Sequence, residues 1–270
     1  SFTVKLLDSY REFHPECKEL IVVNDASRDG TLEYLDSLNC EELQVVHNEF
    51  NLGYAASANL GASMVSGEYL CFLNNDLILT DGWFDPMLEG MQALPRTGIV
   101  GCVQRNPDTD RVDHAGMYFD LDGFPRHAGH KFRGVQGERF VEWRAVTAAC
   151  FVIRRELFER VGGFDKTYRN GFEDVDLCMR LGQMGYQHYV ANKSQIFHHV
   201  SQSPGRKLHE KRNAELFLER WGHLTRQFGR EEWPREYLRI CRNRPKKFRP
   251  AKFVVALWLL LRYGGKSSKN

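Results

Sequence analysis

The sequence predicts an α/β protein built on a doubly wound, mostly parallel sheet with flanking helices, and three observations predict it. Short apolar runs alternate with segments of helical periodicity through the first hundred residues, the order that parallel strands joined by crossover helices require. The runs are apolar on both faces, as in strands covered from two sides. One of them, GEYLCFLNND, stops abruptly in two amides and a carboxylate at Asn74, Asn75 and Asp76, and ligands of open α/β sheets gather beyond the carboxyl ends of strands.

Each element has its own signal. Residues 2–13 place apolar side chains at helical spacing. KELIVVND is a strand, and DGTLEYLDSL opens a helix with Asp29 or Thr31 as cap. EELQVVHN is the next strand, followed by GYAASANLGASMV, a helix of small residues suited to close packing on a sheet. GEYLCFLN is a strand, GWFDPMLEGMQAL a helix and GIVGCV a strand. Residues 1–103 thus form a nucleotide-binding type of half. Residues 104–140, rich in Asp, Gly, His and Arg, read as loops and short irregular strands. AACFVIRR is a strand, ELFERV a short helix, and FEDVDLCMRLGQMG a helix with acids in its first turn. YQHYVAN and SQIFHH are two further strands, and GRKLHEKRNAELFLERWG is a charged amphipathic helix. The expected organisation is one domain over 1–222, divided into 1–103 and 104–222, with a helical tail over 223–270.

Apolar content of 42% and charged content of 27% are those of a globular protein. A formal charge of +2 gives no drive toward nucleic acid. Seven cysteines at 17, 40, 71, 102, 150, 178 and 241 form no CxxC pair. That argues against a disulfide framework or zinc knuckle and for a reducing, cytoplasmic compartment.

Five clusters carry candidate chemistry. Asp76 is a hard oxygen ligand placed to hold a divalent cation against a phosphate, or a plain turn residue. Asn24 and Asp25 end the strand ELIVV; Asp25 either accepts from a base or ribose or shapes the turn. Asn51 and Asn59 flank Gly53, where a backbone can approach a ligand closely. Glu173, Asp174 and Asp176 open a helix, where the dipole favours acids and where a general base for a hydroxyl could stand. His198 ends a strand, and Ser203 and Arg206 follow with groups suited to phosphate oxygens.

Together these segments resemble glycosyltransferase family 2, the inverting GT-A transferases, from about residue 10 to about residue 222. IVVNDASRDGT is similar to the family's VVDDGSTDGT segment. NEFNLGYAASANLGASMVSGEYLCFLNND is similar to its N-x-G helix running into the DxD-equivalent strand. VGGFDKTYRNGFEDVDLCMRLGQMGY resembles the block carrying the catalytic base, and FHHVSQSPGR the H-x-x-S-x-S segment. The likeness is greatest to bacterial rhamnosyl- and N-acetylglucosaminyl-type transferases of surface and cell-wall polysaccharide. It implies a GT-A, Rossmann-like fold and a nucleoside diphosphate sugar donor contacted by Asn24, Asp25, Asn51, Asn59, Asn74, Asn75, Ser203 and Arg206. It also implies Mn²⁺ or Mg²⁺ on Asp76 and His198, Mn²⁺ being favoured by mixed oxygen and imidazole ligation. Asp174 would be the base, with Glu173 the second choice, and the acceptor a glycan or lipid-linked hydroxyl met by loops over 114–132. A metal cluster at His127 and His130 is the minor alternative there.

Three departures stand out. Asn24 replaces the usual first acid, the DxD site reads Asn-Asn-Asp, and the family's first strand is not in the sequence. A strand is therefore expected upstream of Ser1, with a gap beside KELIVV. The missing strand and the single acid support a rival reading, a non-catalytic nucleotide-sugar-binding or scaffold module, against which the retained Asp76, Glu173, Asp174 and His198 argue. A sugar nucleotidyltransferase would need a Gly-rich phosphate loop with a basic residue near the N-terminus, and none is present.

The tail gathers Arg239, Arg242, Arg244, Lys246, Lys247, Arg249 and Lys252 without an acid among them, then runs into FVVALWLLL at 253–261. That run is too short to span a bilayer, which takes about 20 apolar residues. It suits the anionic inner face of a membrane or packing on the domain or a partner subunit, and the sequence leaves these open.

Overall fold

The computed structural model describes residues 1–13, 19–38, 43–129, 138–199 and 206–264. Helix α1 (Phe2–Phe13) precedes β1 (Leu20–Asn24), α2 (Thr31–Asp36), β2 (Leu43–His47), α3 (Tyr54–Ala62), β3 (Tyr69–Leu73) and the two-residue β4 (Leu77–Ile78). Helix α4 (Asp85–Ala93) leads to β5 (Thr97–Arg105), then β6 (Val112–His114), β7 (Met117–Phe119), β8 (Pro125–His127) and β9 (Phe140–Trp143). The chain continues through β10 (Cys150–Arg154), α5 (Arg155–Arg160), α6 (Glu173–Gln183), β11 (Gln187–His198), α7 (Glu210–Asn243) and α8 (Pro250–Tyr263).

The α/β class stands, but the sheet is mixed. Its central path is β3-β10-β5-β11-β4. Among the described residues only β11 with β5, and β1 with β2 in a separate two-stranded sheet, run parallel. β10 lies antiparallel between β3 and β5. An apolar run carries no mark of its direction, so alternation of elements could not expose this reversal. Period-two alternation still builds the core. Ile99, Phe151 and Ile153 face α3, α5, α6 and α7, whereas Val100, Val152 and Cys150 face α1 and α4. On the first face Phe72 meets Phe151, Phe158 and Phe164 with ring centroids 5.0–5.2 Å apart. On the second, α1 is tied to the β4 region: Leu79 N–H donates to Ser9 Oγ at 3.0 Å and Trp83 Nε1–H to Phe13 O at 3.1 Å.

The gap expected beside ELIVV is present. Among the described residues β1 pairs with β2 and β3 with β10. β1 and β3 face each other across a cavity of about 1550 Å³ instead of pairing. Their amino ends are linked, Glu19 accepting from Ser66 N–H (2.9 Å) and Gly67 N–H (3.1 Å), so both strands point their carboxyl ends at the same mouth.

Two local expectations are corrected, and a continuous helix crosses the expected domain end. The strands YQHYVAN and SQIFHH are one strand, β11, whose register against β5 slips between Ala191 and Gln195; a bulge absorbs the polar residues that read as a break. The cap of α2 is Gly30, in the left-handed region, while the Thr31 hydroxyl donates to Asp29 at 2.6 Å. Residue 222, the expected end of the domain, lies inside the 34-residue α7, which continues through Pro234. Phe217, Trp221 and Thr225 are buried, and Glu232 accepts from Phe119 N–H at 3.2 Å, so the helix packs back on the β7–β8 hairpin.

Asp176 is fully buried and satisfied three times, by Arg180 Nε at 2.7 Å, Arg220 Nη1 at 2.8 Å and Trp221 Nε1 at 2.8 Å. It is the anchor of α6 on α7, not a free carboxylate. Asp176→Ala leaves Arg180 without its charge partner and Arg220 with Asp165 alone, and is expected to cost about 3–5 kcal/mol, a fall of roughly 10 °C in Tm. Thermal unfolding followed by circular dichroism checks this; an unchanged midpoint contradicts it.

Candidate active site

The turn between β3 and β4 places Asp76, and the pairing of β4 with β11 fixes what it meets. Register His198↔Leu77 sets the end of β11 beside that turn, and His199 N–H donates to Asp76 O at 2.9 Å. His198 Nε2 stands 3.1 Å from Asp76 Oδ1. Both residues are buried, and neither atom has a well-aligned hydrogen bond. The tautomer explains why. His198 Nδ1 lies 2.8 Å from Gln104 Oε1; in the tautomer that donates there, the Nε2 lone pair points at a carboxylate oxygen. Two buried acceptors facing each other require a proton or a cation between them. That fits a divalent ion held by one carboxylate and one imidazole, with its other positions left to ligand oxygens and water. No group of three such side chains exists among the described residues. Asn74 Oδ1, two residues before Asp76, is likewise buried without a partner, and Asn75 Nδ2 donates to Thr3 Oγ1 at 3.3 Å.

Gln104 was not legible as a functional residue, since a lone glutamine on a strand carries no motif. It fixes the ring of His198 from the far side, as partners of ligating histidines do. Gln104→Leu is expected to weaken Mn²⁺ affinity about 10–100-fold, read as the Mn²⁺ concentration needed for half-maximal nucleotide binding; an unchanged requirement contradicts this. Nearby, His114 Nδ1 lies 2.8 Å from His127 Nδ1. Burial first, then the charges of His127 and His198, push the pKa of His114 well below the usual histidine value, so it adds no charge to the site. His130 lies outside the described residues.

The opposite wall is the amino end of α6. Asn170 and Phe172 hold left-handed backbone there, and Asn213 Nδ2 on α7 donates to Arg169 O and Gly171 O, both at 3.0 Å. Glu173 is buried, with Oε2 accepting Gly171 N–H at 2.5 Å. Asp174 is more accessible. Its Oδ2 accepts Ala148 N–H at 3.1 Å and its Oδ1 accepts Val175 N–H at 2.8 Å, which fixes the carboxylate and leaves further lone pairs for a ligand. Tyr54 donates to Ala148 O at 2.9 Å; burial, then the charges of Glu173 and Asp174, raise its pKa well above 10, so the phenol stays protonated beside them.

The remaining candidates divide. Asn24 is buried, its amide engaged by His47 and by Ser27 N–H, both at 3.0 Å. Asp25 accepts Leu52 N–H, Gly53 N–H and Asn48 Nδ2 at 2.8–2.9 Å. Burial raises its pKa, but these hydrogen bonds outweigh it and leave the pKa low. Its carboxylate therefore shapes the loop that carries Asn51, whose Nδ2 donates to Asp25 O at 3.1 Å. Gly53 has φ +87°, a backbone that strains any side chain, and Arg169 Cγ lies 3.1 Å from where a Cβ would stand. Asn59, expected at the donor, has its amide on both backbone atoms of Phe164, Nδ2 to O at 2.8 Å and N–H to Oδ1 at 2.9 Å. The side chain therefore joins the two halves of the fold. Ser203 lies outside the described residues; Arg206 begins a short 3₁₀ turn ahead of α7.

The cavity between β1 and β3 joins these walls. Asn24, Asp25, Asn51, Asn74, Asn75 and Asp76 line it at the strand ends, as do Glu173 and Asp174 on α6.

The sequence profile of Glycosyl transferase family 2 matches residues 2–162. The chain is 34% identical over 201 residues to the O-antigen biosynthesis protein RfbC of Myxococcus xanthus, covering 70% of this chain and 15% of that protein. It is 28% identical over 212 residues to an N-acetylglucosaminyl-diphospho-decaprenol L-rhamnosyltransferase of Mycobacterium tuberculosis, covering 69% of this chain and 68% of that protein. Among solved structures, GalNAc-T7 with UDP, GalNAc and Mn²⁺ superposes with a TM-score of 0.64 at 17% identity, over 85% of this chain and 47% of that one. The mannosyltransferase PcManGT of Pyrobaculum calidifontis, in complex with GDP-Man and Mn²⁺, does so with 0.56 at 16% identity, over 99% and 72%. The likeness to these structures is one of fold, the GT-A fold. The chain spans 15% and 24% of the first two curated relatives it matches.

Proposed function

The chain belongs to glycosyltransferase family 2, and from that premise we propose that it moves a sugar from a nucleoside diphosphate donor to a hydroxyl of a glycan or lipid-linked glycan, with inversion at the anomeric carbon, in polysaccharide synthesis at the cytoplasmic face of a membrane. The observation that carries this is that Asp76, whose Oδ1 faces His198 Nε2 at 3.1 Å, lines the same cavity as Asp174, an accessible carboxylate at a helix amino end. The second of the relatives above is named for a lipid-diphosphate-linked sugar, which supports the acceptor class.

In this reading Asp76 and His198 hold Mn²⁺ or Mg²⁺, which when bound neutralises the charge growing on the diphosphate leaving group. Asn51, Asn74 and Asn75 orient the donor at the strand ends. Asp174 accepts the proton of the attacking hydroxyl. Its two backbone hydrogen bonds keep the carboxylate from turning away, and Tyr54, held neutral, supports Ala148 beside it. One base acting on an incoming hydroxyl gives direct displacement, and direct displacement inverts. Glu173 is a poorer base because it is buried and already holds Gly171.

The test is thermal stabilisation by a panel of nucleoside diphosphate sugars in Mn²⁺. A ligand at 100 times its Kd adds about 2.7 kcal/mol to stability. The expected result is a raised Tm with one nucleotide class, lost in chelator. No shift with any member of the panel contradicts the reading.

A further inference from the structure

Helix α8 is apolar on both sides. Its inner stripe, Ala256 and Leu259 with the half-buried Phe253, Leu260 and Tyr263, packs on α7. Its start is held by the Tyr237 hydroxyl, which donates to Arg249 O at 3.0 Å and accepts Arg249 N–H at 2.8 Å. The outer stripe is Val254, Leu257, Trp258 and Leu261, at the i, i+3, i+4, i+7 spacing of one helix face. These four are 65%, 42%, 52% and 89% exposed. A helix that ends its packing at α7 carries polar residues on its water side; this one carries leucine, valine and tryptophan. The charge around the stripe has one sign. No Asp or Glu follows Glu236 in the sequence, and the exposed Lys246, Lys247, Arg249, Lys252 and Arg262 flank the stripe at both ends. The Arg262 guanidinium lies over the Trp258 ring, 5.2 Å from its centroid.

We propose that this face docks on an anionic lipid bilayer, with α8 lying in the plane of the headgroups. No helix among the described residues is long and apolar enough to cross a membrane. The 14 residues of α8 reach about 21 Å, short of a hydrocarbon core of about 30 Å, so the helix lies on the surface. Apolar side chains enter the headgroup boundary while the basic residues meet anionic lipid. A second copy of the chain fits worse, because face-to-face contact brings two basic rims together. The inference deepens the membrane placement proposed above. Docking does not require the transfer chemistry, so either can fail alone.

The experiment is co-sedimentation of the full chain with phosphatidylcholine vesicles, with and without phosphatidylserine. Binding is expected only with phosphatidylserine, weakening as salt rises. Lys246→Gln with Lys247→Gln is expected to lower the partition coefficient about thirtyfold, each basic residue being worth roughly a factor of five. Trp258→Glu with Leu261→Glu is expected to abolish binding at an unchanged Tm, since both side chains are exposed. Equal partition of that variant and the parent, or no binding at low salt, overturns the proposal. So does a concentration-dependent dimer in sedimentation velocity that the same variant abolishes, since a second copy then covers the face.

Discussion

Asp76→Ala is expected to abolish metal-dependent donor turnover, by at least about 10³-fold, and His198→Ala to do the same. Each removes one of the two atoms that face each other beside the β3–β4 turn, Asp76 Oδ1 and His198 Nε2, 3.1 Å apart. A bound cation stabilises leaving-group charge by several kcal/mol, and a loss of about 4 kcal/mol is roughly 10³-fold in rate. Neither change is expected to unfold the protein. Neither facing atom has a hydrogen-bond partner in the free protein, so deleting one side chain breaks no hydrogen bond between the two. Donor consumption measured in Mn²⁺ and in chelator separates the outcomes. Parental turnover in chelator by either variant contradicts the assignment.

Asp174→Asn is expected to cut turnover by about 10²–10⁴-fold, the range for loss of a positioned general base, with donor affinity nearly unchanged. The substitution keeps the shape but disturbs one of two backbone hydrogen bonds, to Ala148 or Val175. That costs on the order of 1 kcal/mol of stability and is read separately as a Tm. Glu173→Gln is expected to do far less to the chemical step, because Glu173 is buried and serves Gly171. Paired kcat and donor-binding measurements decide between the two carboxylates. A large kcat effect at Glu173 with a small one at Asp174 reverses the assignment.

Much of this site was legible in the sequence because its residues sit where elements change. Asn74, Asn75 and Asp76 break an apolar run, Glu173 and Asp174 open a helix after glycines, and His198 ends a strand. Residues that act by long-range contact left no such mark. Gln104 reaches His198 across the register of β5 and β11. Asn170 accepts Tyr54 N–H at 2.9 Å from 116 positions away, and Asn213 holds the α6 entry from the buried side of α7. Asn59 lies on the other side of that divide. Its place in a motif suggested a ligand contact, while its amide is spent on Phe164. The fold shows the same split. Element types followed from periodicity, but the direction of β10, the fusion of two runs into β11 and the reach of α7 past residue 222 depend on pairing and packing between distant segments.

The most direct test of the account is the configuration of the first-formed product. A donor found by stabilisation is turned over in Mn²⁺ with its acceptor, or slowly with water alone, and the anomeric proton is followed by NMR before mutarotation. Direct displacement by a hydroxyl activated at Asp174 predicts an anomeric configuration opposite to that of the donor. Retention of the donor's configuration would contradict it.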